Sequence, residues 1–206
     1  MNVLMINGSP RKDGNTSLAL DEMRKVFDEY QIDTHIIQVG QTSIRGCLGC
    51  ASCHNGHKGC VIDDIVNTIH PLLDECDGLV IASPVYYASA NATLIALLDR
   101  LFYSSTSDKR MKVGASVAVA RRGGCSATFD QLNKYFTISG MPLASSQYWN
   151  SVHGGAKGEA KDDLEGLQTM RTLAHNMVFL MKSIELGKKE FGLPEKEAPE
   201  RTNFIR

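Results

Sequence analysis

Short apolar runs rich in β-branched residues alternate along this chain with longer segments of helical periodicity. The runs at Val3–Ile6, Thr34–Val39, Gly78–Ala82 and Val113–Ala120 predict buried strands, and a weaker run from Met141 to Trp149 predicts a fifth. Strands separated by helices pair in parallel through right-handed crossovers. The alternation therefore predicts a three-layer, doubly wound α/β fold, with a five-stranded parallel sheet in the order 2-1-3-4-5.

The segments between these runs predict five helices. They are Thr16–Glu29, Asp64–Cys76, Asn91–Tyr103, Thr128–Ser139 and Asp162–Leu186. Gly187 follows the last segment and is predicted to end that helix. No linker or internal repeat divides the chain, so we expect one domain over residues 1–187 and a charged C-terminal tail over residues 188–206.

The overall charge and hydropathy exclude several classes of protein. With a formal net charge of −1 over 206 residues, the chain lacks the basic excess of nucleic-acid-binding proteins. No apolar run approaches the roughly 20 residues that span a bilayer. The run Met1–Ile6 is too short for a secretory signal and has no basic start. We therefore expect a cytoplasmic protein that binds neither nucleic acid nor a membrane.

The first predicted strand runs into a loop rich in glycine and hydroxyl side chains, and a helix follows. At that position, backbone N–H groups and nearby side chains favour a phosphate group. The loop lacks both the Walker A ending and the Rossmann Gly-x-Gly-x-x-Gly pattern, which argues against ATP hydrolysis. The alternative is that these residues only form the turn and cap the helix. The candidate phosphate-binding residues are Ser9, Arg11, Asn15, Thr16 and Ser17.

A second candidate loop follows the third predicted strand. The order 2-1-3 places it beside the first loop, across the crevice where the strand order reverses. Pro84 stiffens the exit from the strand, and Tyr86 and Tyr87 offer flat faces to a planar ring. The alternative is that both tyrosines are ordinary aromatic residues at the edge of the core.

Four of the six cysteines lie in the predicted loop 46–61. These are Cys47, Cys50, Cys53 and Cys60, spaced Cys-x2-Cys-x2-Cys-x6-Cys. In a reducing compartment, such a group indicates metal binding or redox chemistry more often than disulfides. The spacing allows one [4Fe–4S] cluster, although it departs from the bacterial ferredoxin run at the fourth cysteine. Zinc bound with His54 or His57 and unliganded thiols are the alternatives.

Five motifs together carry a family resemblance. They are Gly8-Ser9-Pro10-Arg11 with Asn15-Thr16, Ser83-Pro84-Val85-Tyr86, Leu98-Asp99-Arg100, Ala120-Arg121-Arg122-Gly123-Gly124 and Tyr148-Trp149-Asn150. In combination they resemble the NADPH-dependent FMN reductase group of flavodoxin-like proteins. The cysteine spacing is similar to that of the iron–sulfur flavoproteins within that group.

The resemblance implies a flavodoxin-like fold and an NAD(P)H-dependent oxidoreductase whose FMN reduces a small-molecule acceptor such as a flavin, a quinone or an aromatic compound. In such a protein the loop after the first strand holds the FMN phosphate. The residues implied along the isoalloxazine and ribityl chain are Pro84, Val85, Tyr86 and Tyr87, with Arg121, Gly123 and Gly124 on the other side of the ring. A homodimer or homotetramer is also implied.

Two further functions remain open on the same residues. In the first, Cys47, Cys50, Cys53 and Cys60 hold a [4Fe–4S] cluster, and electrons pass between a ferredoxin-like protein and FMN. In the second, the chain is a non-catalytic flavin-binding sensor, because a fold does not fix a function.

Overall fold

A five-stranded parallel sheet forms the centre of the chain in a computed structural model, which describes residues 1–205. Its strands are β1 (Asn2–Asn7), β2 (Asp33–Gln38), β3 (Gly78–Tyr86), β5 (Val113–Ala120) and β6 (Ser151–His153), while β4 (Ser89–Ala90) pairs antiparallel with the end of β3. The spatial order is β2-β1-β3-β5-β6. With β4 set aside, this is the order 2-1-3-4-5, and the predicted fold is confirmed.

Helices cover both faces of the sheet. They are α1 (Asn15–Glu29), α2 (Ile65–Glu75), α3 (Ala92–Ser104), α4 (Cys125–Ile138) and α5 (Leu164–Phe191). Alternate residues of each strand point to opposite faces, so Val3 and Met5 pack with α1 and α5. Leu4 and Ile6 pack with α2, α3 and α4 on the other face. The two apolar cores give the three predicted layers. No helix among residues 1–205 is both long and apolar enough to cross a bilayer.

The third strand is longer than its apolar run predicts. Pairing with β5 continues as far as Pro84, which lies opposite Val119. A two-residue turn at Tyr87 and Ala88, both with positive φ (51° and 58°), then connects β3 to β4. Positive φ at both positions is the geometry of a type I′ hairpin. The loop predicted to begin at Ser83 is therefore mostly strand.

The prediction of a strand over Met141–Trp149 is wrong. The segment touches β5 through one bridge, between Leu143 and Gly114, and ladder pairing resumes only with β6. Between these points the backbone bonds to α5 instead, because the carbonyl of Ser145 accepts a hydrogen bond from Asn176 at 2.7 Å. Trp149 is 59% exposed. Its apolar character therefore does not mark a buried strand.

The predicted end of the last helix at Gly187 is also wrong. The helix continues to Phe191, and Gly192, with φ of 72°, ends it. A Cβ at Gly187 would have no neighbour within 4 Å. The residue therefore lies on an open side of the helix, where glycine is tolerated in the interior at a modest cost.

Candidate functional site

A crevice opens at the carboxyl ends of β1, β3 and β5, where the strand order reverses. Ligands of open α/β sheets bind at this point. Eight of the twelve predicted cofactor-binding residues line it. The complete lining is Ser9, Arg11, Asn15, Thr16, Pro84, Val85, Tyr86, Val119, Ala120, Arg121, Gly154 and Gly155.

The loop after β1 is held rigidly by short-range hydrogen bonds. The Ser9 N–H donates to Asn7 Oδ1 at 2.9 Å, and the Arg11 N–H donates to Ser9 Oγ at 3.1 Å. Gln38 Nε2 donates to the carbonyl of Ser9 at 2.9 Å. A Cβ at Gly40 would lie 2.2 Å from the Ser9 carbonyl carbon, so only glycine permits this approach. Contacts within the protein therefore fix the conformation of the loop.

The N-terminus of α1 faces the crevice without a side-chain cap. Gly14 is the N-cap residue, and the first intrahelical bond runs from the Leu18 N–H to the Gly14 carbonyl at 3.1 Å. The N–H groups of the first turn, before Leu18, have no acceptor within the helix, as in every helix. Thr16, in this first turn, and Arg11, in the loop, both line the crevice. This arrangement suits an anion such as a phosphate.

Asn15 has a bracing contact that its sequence position did not predict. Its Nδ2 donates to the Ala156 carbonyl at 2.9 Å, and its Oδ1 accepts from the N–H groups of Gly158 at 2.9 Å and Ala160 at 3.2 Å. The side chain thereby ties α1 to the loop after β6. That loop supplies Gly154 to the opposite wall of the crevice.

Four predicted residues do not line the crevice: Ser17, Tyr87, Gly123 and Gly124. The Ser17 hydroxyl accepts a hydrogen bond from Asn7 Nδ2 at 3.1 Å. Tyr87 is fully exposed at the tip of the β3–β4 hairpin. Gly123 is open, with no atom within 4 Å of where a Cβ would lie.

Gly124 packs against the β3–β4 hairpin and does not line the crevice. It is the N-cap residue of α4 with φ of 94°, and a Cβ there would lie 2.8 Å from both Ala88 Cα and Val85 Cγ1. The glycine therefore lets α4 pack directly against the hairpin. Gln131 of the same helix accepts from the Ala90 N–H at 2.9 Å and fixes β4.

The sequence interpretation missed four lining residues: Val119, Ala120, Gly154 and Gly155. The first two end β5, and their position follows once β5 is placed beside β3. The Gly154-Gly155 pair was a visible signal, since paired glycines after a strand mark a close backbone approach. Glu159 accepts from the N–H groups of Ala156 at 2.8 Å and Gly155 at 2.7 Å, and these bonds lower the pKa of its carboxyl.

A cysteine, a histidine and a carboxylate meet near this crevice. Cys125 Sγ lies 3.9 Å from His153 Nε2, and His153 Nδ1 lies 3.5 Å from Asp163 Oδ2. Burial, followed by the charge of Asp163, raises the pKa of the Cys125 thiol. A raised pKa disfavours the thiolate, which is the nucleophilic form of cysteine.

A second pocket contains all four cysteines of the loop 46–61. Its lining is Cys47, Leu48, Cys50, Ala51, Cys53, Cys60, Val61, Ile62, Arg100, Tyr103 and Ser104. All four thiols are free. Burial and the nearby charges of the other three cysteines raise the pKa of Cys53. The fold therefore brings the predicted ligands together, although they come from an irregular loop.

The two histidines of the loop do not line this pocket. Among residues 1–205, no three His, Cys, Asp or Glu side chains are close enough together to hold a metal ion, so the four thiols share a pocket without being drawn together on one point. His54 packs edge-on against Tyr103, with centroids 4.6 Å apart, and His57 Nδ1 lies 3.2 Å from the Gly59 carbonyl. Four thiols around one pocket are the ligand set of a [4Fe–4S] centre, so the residues fit that group.

Residues 1–156 match the family described as NADPH-dependent FMN reductase. The chain belongs to this family. An iron–sulfur flavoprotein of Methanocaldococcus jannaschii is 34% identical over 90% of this chain and 100% of its own length. An iron–sulfur flavoprotein of Methanosarcina thermophila is 30% identical over 91% and 99%. These matches confirm the predicted family resemblance, and with it the FMN-containing oxidoreductase class.

Solved structures agree on the fold. FerB, a flavoenzyme NAD(P)H:(acceptor) oxidoreductase from Paracoccus denitrificans, superposes with a TM-score of 0.64 at 15% identity, covering 90% of this chain and 97% of its own. A flavodoxin from the domain Archaea gives a TM-score of 0.55 at 14% identity over 86% and 99%. At these identities the likeness shows a flavodoxin-like fold and nothing finer.

Proposed function

We propose that the chain binds FMN in the crevice at the carboxyl ends of β1, β3 and β5, and transfers electrons from NAD(P)H to a small acceptor. Candidate acceptors are flavins, quinones and aromatic compounds. The observation that carries this proposal is the convergence of two features on one crevice. The uncapped N-terminus of α1 suits a phosphate, and the end of β3, with Tyr86, offers a wall for a planar ring.

Each wall of the crevice has a separate role in this proposal. Arg11 and the first turn of α1 bind the phosphate, while Pro84, Val85 and Tyr86 flank the ring. Arg121 is assigned to the other side of the ring. It lines the crevice beside Gly155, where its Cγ lies 3.0 Å from the position that a Cβ would take. FMN, when bound, supplies the capacity to accept electrons from a nicotinamide and to release them to an acceptor. The protein orients the ring and limits its access to water.

The phosphate contact is tested by comparing FMN with riboflavin, which lacks the phosphate. Arg11→Gln removes a charge-assisted hydrogen bond of about 1.5–3 kcal/mol, so FMN should bind roughly tenfold to a hundredfold more weakly. Riboflavin affinity should not change. Arg24→Gln, an exposed arginine on α1 that pairs with Asp21, is the control. Equal weakening of both ligands would place the phosphate elsewhere.

The electron donor is tested by mixing the FMN-loaded protein with NADH or NADPH without oxygen and following the flavin absorbance. Rapid bleaching, and reoxidation by an added quinone, are expected. Tight FMN binding with no reduction and no turnover would favour the non-catalytic sensor.

A second function is favoured by the cysteine pocket. We propose that Cys47, Cys50, Cys53 and Cys60 hold a [4Fe–4S] cluster and that electrons pass between a ferredoxin-like protein, this cluster and FMN. Both curated relatives described above carry the name iron–sulfur flavoprotein. Protein purified without oxygen should contain about four irons and four sulfides per chain.

Cysteine variants separate the two sites. Cys53→Ser should lose iron and keep FMN, whereas Cys125→Ser, outside the pocket, should keep both. Fast reduction by ferredoxin with no response to NAD(P)H would make this second function the main one. Iron-free protein that still turns over NAD(P)H would exclude it.

We also propose a cytoplasmic homodimer or homotetramer. The FMN-binding domain, predicted to end at residue 187, extends to the end of α5 at Phe191, and the tail begins at Gly192. Exposed aromatic side chains support an assembly, since Tyr148 is 61%, Trp149 59% and Phe179 71% exposed. Sedimentation at micromolar concentration would give a dimer or tetramer mass. A monomer would contradict the assembly.

A further inference from the structure

One buried side chain links the cysteine pocket to the body of the fold. Arg100 projects from α3, is 1% exposed, and lines the pocket. Its two terminal nitrogens bond to Asp64, at 2.6 Å from Nη1 to Oδ2 and 2.9 Å from Nη2 to Oδ1. This is the bidentate, charge-assisted geometry in which arginine and a carboxylate bind most strongly.

The remaining donors of Arg100 reach both ends of the cysteine loop. Nη1 also donates to the Arg45 carbonyl at 3.2 Å, and Nη2 donates to the Ile62 carbonyl at 3.0 Å. Nε donates to the sulfur of Cys60 at 3.3 Å. Arginine has five N–H donors, and all five are used. One guanidinium therefore binds Arg45, which precedes the cysteine loop, and Ile62 and Asp64, which follow it.

Lysine does not reproduce this arrangement. An ammonium group has three donors at one point, whereas the guanidinium distributes five over a rigid plane. The charge itself is balanced by Asp64, as a buried ion requires. The N–H directed at Cys60 is therefore a separate feature, additional to the ion pair.

Hydrogen bonds to the sulfur ligands are one of the factors that set the reduction potential of an iron–sulfur cluster. Such contacts from outside the ligand set also orient the ligands. An N–H dipole stabilises the more negative, reduced form of the cluster, so it raises the potential.

We infer that Arg100 is the positioning residue of the cluster site: it holds Cys60 and both ends of the loop for cluster binding, and it raises the reduction potential of the cluster through its Nε–H. This inference rests on the proposed [4Fe–4S] centre. It assigns a function to an arginine that lies outside the flavin crevice and supplies no ligand.

The test compares Arg100→Lys and Arg100→Met with wild type by iron and sulfide content and by potentiometric titration followed by electron paramagnetic resonance. Arg100→Lys keeps a positive charge beside Asp64 and loses the planar donors. It should retain most of the iron. At a fixed potential, the ratio of reduced to oxidised cluster should fall at least tenfold, which corresponds to a reduction potential lower by about 59 mV for one electron.

Arg100→Met should in addition lose at least half of the iron. Without cluster, its amides in residues 44–64 should exchange hydrogen faster than those of wild type. Arg110→Met is the matched control, because Arg110 pairs with Asp108 at the surface and lies outside both pockets. FMN affinity, measured on every variant, reports whether the rest of the fold is intact.

The outcomes separate the inference from the function on which it rests. Wild type with four irons, and both variants with unchanged iron and potential, would overturn the role of Arg100 and leave the cluster in place. Wild type without iron or sulfide after anaerobic reconstitution would overturn both. A lower potential in Arg100→Lys with FMN affinity unchanged would support the inference.

Discussion

The two pockets of this protein are built in different ways. The crevice forms where strands of the sheet end, and several short contacts share the task of shaping it, such as those of Ser9 with Asn7 and Gln38. The cysteine pocket forms on an irregular loop, and its ends are held by the ion pair of Arg100 with Asp64 and by Asn67, which bonds to the backbone of Cys60 and Ile62. The first pocket is shaped by the sheet, and the second by a few side chains that reach the ends of a loop.

This difference predicts how each pocket responds to substitution. Removing one contact from the crevice should weaken a ligand and leave the fold almost unchanged. Removing one partner of the buried ion pair should destabilise the protein itself, because the other charge is then buried without a counter-charge.

The largest effect is expected for Asp64→Asn. The asparagine retains an oxygen that accepts from the Val66 N–H and caps α2, so the change spares the cap while it removes the charge and the oxygen that accepts from Arg100 Nη1. Arg100 is fully buried and the Asp64 side chain is 19% exposed. We expect a loss of about 3 kcal/mol in the free energy of unfolding, at the low end for a broken buried pair. Urea unfolding measures it.

Asp108→Asn is the control for that experiment, because its partner Arg110 lies at the surface. Exposed pairs contribute little to stability, so this variant should unfold like wild type. Equal stability of the two variants would show that the cysteine pocket is not held by its ion pair.

An intermediate effect is expected for Gly124→Ala, on the crevice side. The added Cβ would lie 2.8 Å from atoms of Ala88 and Val85, and the alanine would have to keep a φ of 94°. The hairpin must shift, and overpacking of this kind typically costs about 1–3 kcal/mol. We expect FMN to bind about tenfold more weakly in a fluorescence titration. Gly123→Ala is the control and should bind FMN normally, because no atom lies within 4 Å of its added Cβ. An equal loss of FMN affinity in both variants would show that the contact with the hairpin is not the cause.

The smallest expected effect is on the pH dependence of stability, and it concerns a histidine beside the cysteine pocket. His70 Nε2 lies 2.8 Å from Ser104 Oγ, and Ser104 lines the cysteine pocket. Burial lowers the pKa of His70, with Lys109 lowering it further and Asp74 opposing both. The folded state therefore binds fewer protons than the unfolded state, whose histidine titrates near 6.5, and stability falls as pH drops through that value.

His70→Gln should reduce this pH dependence. The difference in melting temperature between pH 7.5 and pH 5.5 should be smaller in the variant than in wild type. His35→Gln, an exposed position on β2, should leave the difference unchanged. A steeper decline in His70→Gln would mean that the histidine is stabilised in its charged form.

Much of the crevice followed from the sequence, because the fold determines it. Alternating apolar runs gave the strand order, and the strand order places the loops after β1 and β3 side by side. The edge strand was misplaced for a physical reason. Apolar residues such as Trp149 lie exposed beside a segment whose backbone bonds to α5. A hydropathy pattern cannot distinguish this from burial.

The role of Arg100 was not visible in the sequence. Its acceptors come from Arg45 and the segment 60–64, which meet α3 only in the folded chain. No spacing rule connects them. The cysteines themselves were identifiable from their spacing, but their convergence on one pocket depends on these long-range contacts.

Helix α3 connects the two pockets. It begins directly after the hairpin that borders the crevice, and its last two turns line the cysteine pocket. From Ala92 to Arg100 the helix rises about 12 Å, and buried leucines fix it against the sheet. A rigid helix does not stretch, so it fixes the spacing between the two pockets. If FMN and a cluster are both bound as proposed, the rate of electron exchange between them should follow the difference in potential and be independent of solvent viscosity.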